Sequence, residues 1–479
     1  MATSVIEQKP FRNTQPVGQE VIFVVSNEDA VANEQKVKFG VEVHISSTTI
    51  PNTSVSDDLI GTFKATPNNA GVGIFDFRSI IENYVKADNM AANGSAYKTT
   101  TTDDTTPHPL HLIDKYSKNN HILRYMVLQF FVEYLGADDG VNPVDPNVVV
   151  RATGTHINSE PYRIWNGYLK YTDLLSIETG TNNFGYDFTP LNLTGSTKSF
   201  LTNSPTTQYA DVNDYGTFGF INPLVFQDDP LDAIAKIRFT YSLNDGSTTN
   251  ETIDLNEASG AYETWAAQAD EIILYFGAFP GNLQNWSAAF QGYVAAGTIQ
   301  GGSYTVQAQN SANAAKSQAY TINVNCPDTK NFEVIRLCWM NQWGTWDHYT
   351  FTQKSIRTIS TSGSTYQQLG GTWNQSRYTV DSYKGGTKQF RVNATESIKI
   401  NTDFISEDDN VMFEELMNSP EIYQLTGFTS DASESALNTY VIPVRMKSSS
   451  FTKKTIANDR LMQYTFDIEK TKTLRTQSV

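Results

Sequence analysis

The chain has only two cysteines, Cys326 and Cys338. Two are too few for a disulfide framework, and their spacing is not that of a zinc site, which fits synthesis in a reducing cytosol. Basic charge is also scarce. Lys and Arg number 35 against 51 Asp and Glu, and no basic run exceeds Lys453-Lys454. Proteins that hold DNA or RNA present a basic patch, so the net charge of −16 argues against direct nucleic-acid binding. Long apolar runs are missing too. The richest, Ile122 to Leu135, is broken by Arg124, Gln129 and Glu133, so no membrane insertion is expected. The opening Met1-Ala2-Thr3-Ser4-Val5-Ile6-Glu7 lacks the basic start and apolar stretch of an export signal. Triplets such as Asn192-Leu193-Thr194 then carry no glycosylation message.

What is present is alternation. Val37, Phe39, Val41, Val43 and Ile45 are apolar while Lys36, Lys38, Glu42, His44 and Ser46 between them are polar, the period-2 signature of a half-buried strand. The pattern recurs at Ile122-Met126-Leu128-Phe130-Val132-Tyr134, Ala235-Ile237-Phe239-Tyr241-Leu243, Tyr440-Ile442-Val444-Met446 and Met462-Tyr464-Phe466-Ile468. Asn244-Asp245-Gly246 separates two such runs as a hairpin turn would, because Asp-Gly accepts positive φ. Helices are few: one over Arg78 to Lys86, and one opened by Ser406 as N-cap with Glu407, Asp408 and Asp409 in its first turn, stopping at Asn418-Ser419-Pro420. With 12% aromatic and 39% hydrophobic residues, the chain is expected to fold as mainly β, with several β-sandwich-like domains, long loops and a few short helices.

The expected organisation is an N-terminal β domain over 1–177, with one short helix and a Thr-rich loop at Lys98 to Pro107 inside it. An extended connecting segment over 178–231 follows, then a central sandwich-like domain over 232–325. A C-terminal β domain over 326–479 carries an inserted helix near 406–417. Lys98 to Pro107 and Gly180 to Asn213 read as arms that gain order on assembly.

No motif carries chemistry, and no catalytic, cofactor-binding or metal residue is expected. The six histidines, His44, His108, His111, His121, His156 and His348, include no His-Glu-x-x-His. His108 and His111, with Asp103, Asp104 and Asp114 around them, read as a solvated loop. Asp138-Asp139, Asp228-Asp229 and Glu407-Asp408-Asp409 lack the ligand spacing of a calcium loop. No nucleophile elbow, phosphate loop or dinucleotide fingerprint occurs. Cys338 to Phe351 holds three of the seven tryptophans and an Asp347-His348 pair. It reads as a hairpin with an aromatic core turning at Asn341 to Gly344, against the alternatives of a dyad or a sugar platform.

Phe332 to Asn341, then Trp343-Gly344-Thr345-Trp346-Asp347-His348-Tyr349-Thr350-Phe351, then Lys354-Ser355, resembles a pattern of uncharacterised β-rich virion structural proteins of aquatic and Bacteroidetes-infecting tailed bacteriophages. Co-linear pieces are Phe200 to Pro205, Asp214 to Phe218, Tyr275 to Leu283, Asn401 to Glu407, Glu415 to Tyr423 and Gln463 to Glu469. The likeness covers about the last 280 residues of the sequence, with a weaker echo in the first 90. Trp343 and Thr345 depart from it, standing where smaller residues are usual, and both fall on the hairpin turn. The resemblance implies a virion protein made in the host cytoplasm, of tail, baseplate or collar, with no catalytic residues. Its expected partners are further copies of itself in a cyclic homo-oligomer, other virion proteins and a host surface. A receptor- or glycan-binding tail-tip protein is the alternative and needs Trp286, Trp343 or Trp373 exposed. A polysaccharide-degrading tail enzyme is third, disfavoured by the lack of short internal repeats.

Overall fold

A computed structural model describes residues 2–11, 13–46, 50–54, 58–85, 97–98, 116–119, 123–137, 145–170, 173, 175–177, 184–186, 189–221, 234–254, 273–325, 332–427, 440–453, 462–472 and 474–475. The fold is mainly β, with 48% of the described residues in strands and 12% in helices. The described residues fall into two compact units. One holds those up to Asn325 together with Asn341–Trp346; the other holds those of Cys326–Met340, Asp347–Thr429 and Ser435–Val479.

The first unit contains two cores, each between two sheets. In one, the strands Val5–Gln8, Ile22–Ser26 and Val72–Asp76 form a three-stranded sheet. It faces a seven-stranded sheet whose centre pairs Gln35–Ser46 with Leu123–Ala137. The expected alternation holds: Val37, Phe39, Val41, Val43 and Ile45 are all buried, meeting Phe23, Val25 and Phe75 of the opposite sheet. Phe23 lies edge-on to Phe77 and Tyr162 at 5.7 and 5.2 Å, geometry that aromatic quadrupoles favour. Within this unit, Arg78–Ile81 is helical, shorter than the periodicity suggested.

The other core lies between a five-stranded sheet, ordered Thr207–Ala210, Tyr320–Val324, Ser303–Gln309, Lys236–Ser242 and Thr248–Asp254, and a four-stranded sheet, ordered Thr217–Ile221, Ile273–Gly277, Tyr116–Asn119 and Tyr97–Lys98. The Asn244-Asp245-Gly246 hairpin forms as expected, with Gly246 at φ 83°. Two helices that the sequence reading missed, Pro280–Trp286 and Ala288–Ala295, add Leu283 and Phe290 to this core. Their apolar residues follow no clear helical stripe, and their starts are fixed by Pro280 at the first turn and by the Ser287 cap on Phe290 N.

Two expectations are corrected in this core. The segment 178–231 is not only a connection over the surface: Leu193, Phe200, Phe218 and Phe220 are buried, and the strands Thr207–Ala210 and Thr217–Ile221 enter both sheets. Large aromatics spaced among Asn, Thr and Gly anchor a segment whose average composition reads as loop. Likewise the flanks of the Thr-rich excursion, Tyr97–Lys98 and Tyr116–Asn119, extend the sheet of this core, not that of the N-terminal one. Residues 99–115 lie outside the described residues.

The second unit is one eight-stranded sheet, ordered Trp346–Phe351, Ile335–Met340, Ile422–Leu425, Val441–Met446, Thr465–Lys470, Gly386–Asn401 and Ile356–Gln368, with Leu474–Arg475 also beside Gly386–Asn401. The helix Asn410–Asn418 covers it, placing Met412, Phe413 and Leu416 against Leu337, Trp339, Ile398, Ile400 and Phe466. The chain turns at Ser406 as expected, but through a 3-10 turn over Glu407–Asp409, and the α-helix itself begins at Asn410. Asp409 accepts from Ser406 N at 2.8 Å and from its hydroxyl at 3.1 Å, and the helix ends before Ser419.

Candidate functional site

The aromatic-rich stretch around Trp343 is the hairpin expected, with Ile335–Met340 and Trp346–Phe351 adjacent in the sheet. Its tip is closed by Asn341 N donating to Thr345 O at 2.8 Å and Gly344 N to Asn341 O at 3.0 Å, with Gly344 at φ 73°. Trp339, Trp343 and Trp346 are all buried. Trp343 and Thr345, both on this turn, have defined contacts. Trp343 stacks on Trp165, ring centres 5.9 Å apart, and its carbonyl accepts from Trp165 Nε1 at 2.7 Å. The Thr345 hydroxyl donates to Leu201 O, which also accepts from Asn341 Nδ2 at 3.0 Å. Trp343 is therefore no sugar platform. Asp347 and His348 are buried successive residues of one strand, so their side chains leave opposite faces and form no dyad. The Cys338 thiol is free and buried, and burial pushes its pKa up to about 12. Cys326 lies outside the described residues.

The remaining expected candidates are dispersed. His108, His111, His121, Asp138-Asp139 and Asp228-Asp229 lie outside the described residues. Glu407 to Asp409 form the capping turn of a helix. His156 accepts from Arg151 Nε at 3.0 Å, while Arg151 pairs with Glu42 and lies 3.7 Å over the Phe131 ring. The hydrogen bond from Arg151 holds the Glu42 carboxyl below its ordinary range. His44 is buried with neither ring nitrogen hydrogen-bonded among the described residues, and burial pushes its pKa below the usual imidazole value. Among the described residues, no cluster of three or more His, Cys, Asp or Glu could hold a metal ion. No helix among them is long and apolar enough to cross a membrane.

The feature that stands apart is an arm that the sequence reading did not single out. Ile356–Gln368 and Gly386–Asn401 pair antiparallel along their length. The second strand continues into the sheet through Ser397 to Asn401, beside Thr465–Lys470, while the first pairs with nothing else among the described residues. Ile356 and Ile359, three apart in a strand, face opposite ways, yet both are exposed, so both faces of the ribbon stand in water. At Ser364/Thr365 the register slips past Phe390, a bulge that leaves this ring half exposed.

The arm has an ordered tip. Thr372 N donates to Thr379 O at 3.0 Å and Asp381 N to Gly370 O at 2.8 Å. Two Gly-Gly pairs bracket it because the strands nearly touch there: a Cβ on Gly385 would lie 2.7 Å from Gly370 Cα. This frame holds Leu369, Trp373, Tyr378, Val380 and Tyr383 outward, with Trp373 83% exposed. Trp286, by contrast, packs on the core of its unit. Among the described residues, eight of the twenty exposed large apolar side chains belong to residues 356–401, so their exposed apolar surface is concentrated here. At the base, Arg357 forks to Glu333 and Glu396, and Lys470 reaches Glu396 at 2.7 Å. Those hydrogen bonds hold both carboxyls below the ordinary range. The sequence did carry a signal: apart from Ile359, Gly363 and Tyr366, Thr358 to Gln368 is Ser, Thr and Gln, and Gly370-Gly371 and Gly385-Gly386 punctuate the turn.

No family model and no curated protein matches the chain. Among solved structures, it is weakly similar to the native conformation of E. coli alpha-2-macroglobulin, at 9% identity and TM-score 0.15, over 83% of this chain and 22% of that one. Salmonella alpha-2-macroglobulin reacted with methylamine is similar at 8% identity and TM-score 0.16, over 97% of this chain and 30% of that one. The chain thus spans less than a third of either, and likeness at these scores carries no argument.

Proposed function

We propose that the chain is a structural component of a tailed-bacteriophage virion, a tail, baseplate or collar protein without catalytic activity that assembles into a symmetric oligomer and meets other virion proteins. The phage part of this reading is supported by the co-linear resemblance from Phe200 to Glu469. The assembly part is carried by one observation, the two-stranded arm with apolar side chains in water on both faces and aromatic ones at its tip. A two-stranded ribbon is marginal in water without a third strand or a core, so a partner surface completes it. Light scattering on the purified chain tests the reading. A mass equal to several copies, with closed rings of three-fold or six-fold symmetry in negative stain, is expected. A chain that stays single would overturn it.

One observation favours a second reading. Trp373 is the candidate platform that stays exposed, and Tyr378 and Tyr383 lie on the same tip, as a receptor- or glycan-binding protein requires. A glycan array separates the two readings: tip-dependent binding to sugars, lost in Trp373→Ala, belongs to the second alone.

A further inference from the structure

We infer that the arm is the element by which one copy of this chain grips the next, its ribbon and tip lying on the acidic surface of a second copy. The inference rests on the assembly reading above and names its contact.

Charge selects the partner. Residues 361–395 hold four cations, Arg377, Lys384, Lys388 and Arg391, and one carboxylate, Asp381, a net +3; the whole chain is at −16, so the rest of it stands at −19. Lys384 is paired with Asp381 at 2.8 Å, while Arg377, Lys388 and Arg391 make no ion pair among the described residues. A basic arm on an acidic body is complementary to another copy of itself. Nucleic acid or an anionic lipid surface would attract the arm but repel the body.

Backbone chemistry points the same way. Thr358 to Gln368 is an open edge with no charged residue and no proline. Soluble proteins normally blunt such an edge with charge, proline or a cover, because its unpaired amides and carbonyls template another strand. Among the described residues only the bulge opposite Ser364/Thr365 interrupts it. Size is sufficient as well. Beyond Asn393, where Leu474–Arg475 leaves the ladder, the ribbon runs out about 24 Å at about 3.4 Å per residue and is about 10 Å wide. Covering both faces removes roughly 500 Å², and the aromatic tip brings the area towards the about 800 Å² per partner of a stable contact. Because arm and acidic surface are different patches, the contact can repeat head-to-tail, the kind that closes a ring when its rotation fits a whole number of copies.

Sedimentation velocity on the full chain, over a concentration series at low and physiological salt, tests this. Three variants are compared with the parent: Arg377→Glu/Lys388→Glu/Arg391→Glu, Trp373→Ser/Tyr378→Ser/Tyr383→Ser, and Tyr209→Ser as an exposed aromatic outside the arm. Thermal unfolding of each confirms the fold. The parent is expected to associate, more weakly as salt rises. Both arm variants should associate about tenfold or more weakly, with Tyr209→Ser unchanged. If the parent associates and the arm variants match it, the arm inference fails while the assembly reading stands. A parent that stays monomeric overturns both. A monomer retained through its arm on heparin or on anionic vesicles assigns the arm to a polyanion and overturns the second-copy contact.

Discussion

Two consecutive hairpins, Ile335–Phe351 and Ile356–Asn401, treat their aromatic residues in opposite ways. In the first, Trp339, Trp343 and Trp346 are buried, and the turn is held by hydrogen bonds from Trp165, Asn341 and Thr345. In the second, Trp373, Tyr378 and Tyr383 stand in water on an equally ordered frame. Aromatic density alone therefore does not separate core from interface. The strands leading to the aromatics do. Ile335–Met340 has an apolar face to bury, whereas Ile356–Gln368 is a polar strand exposed on both sides.

Substitution should sharpen that contrast. The largest effect is expected for Trp339→Ala, a loss of about 3–5 kcal/mol in unfolding free energy by denaturant titration, because the cavity left behind cannot collapse fully. Next is Gly344→Ala, at about 1–3 kcal/mol, since φ is 73° and a Cβ would press on the Asn166 carbonyl oxygen. Gly386→Ala shares the left-handed backbone at φ 80° but meets open space, so its cost should be only about 1 kcal/mol. If the two glycine variants cost the same, the close approach at the first turn is not a constraint.

Smaller effects concern charge. His44 and His156 both have pKa values pushed down by burial. Above the ordinary imidazole value of about 6.5 they are neutral folded and unfolded. As pH falls below it, the unfolded chain takes protons that the folded chain refuses, so stability declines until the folded values are passed. His44→Leu should flatten this decline in thermal melts and stabilise by about 1 kcal/mol, having removed two unsatisfied buried nitrogens. Glu396 at the arm base has its pKa held down by Lys470 and then Arg357. Its contribution is present above the ordinary carboxylate range and is lost as pH falls through its lower folded value. Solvent screening keeps it under about 1 kcal/mol, to be read as the difference between Glu396→Gln and the parent at neutral pH. Smallest is Trp373→Ala, within about 0.5 kcal/mol for the isolated chain; a larger loss would mean that the ring is buried within the monomer.

Strand alternation made the β class, the Gln35–Ser46 strand and the Asn244-Asp245-Gly246 hairpin legible in the sequence, because side-chain period and turn chemistry are local. The capped helix after Ser406 was legible for the same reason. Partnership between strands distant in sequence was not: nothing local in Tyr116–Asn119 says that it lies beside Ile273–Gly277. The helices at Pro280 and Ala288 were hidden by their weak stripe. Of the candidate platforms, Trp343 and Trp286 were drawn into cores by neighbours such as Trp165 and Phe239 that no window around them contains. The arm was missed because an exposed polar strand looks like a loop until its pairing is seen.

The central claim is that the arm is open to water only in the isolated chain. Hydrogen–deuterium exchange on dilute and concentrated protein tests it directly, read on the outward amides of Ile356–Gln368 and on residues 369–385, with the Ile335–Phe351 hairpin as internal reference. Slower exchange in the arm at high concentration, with the reference unchanged, is the predicted result. Equal exchange in the arm at both concentrations, in a sample whose mass shows association, would contradict the account.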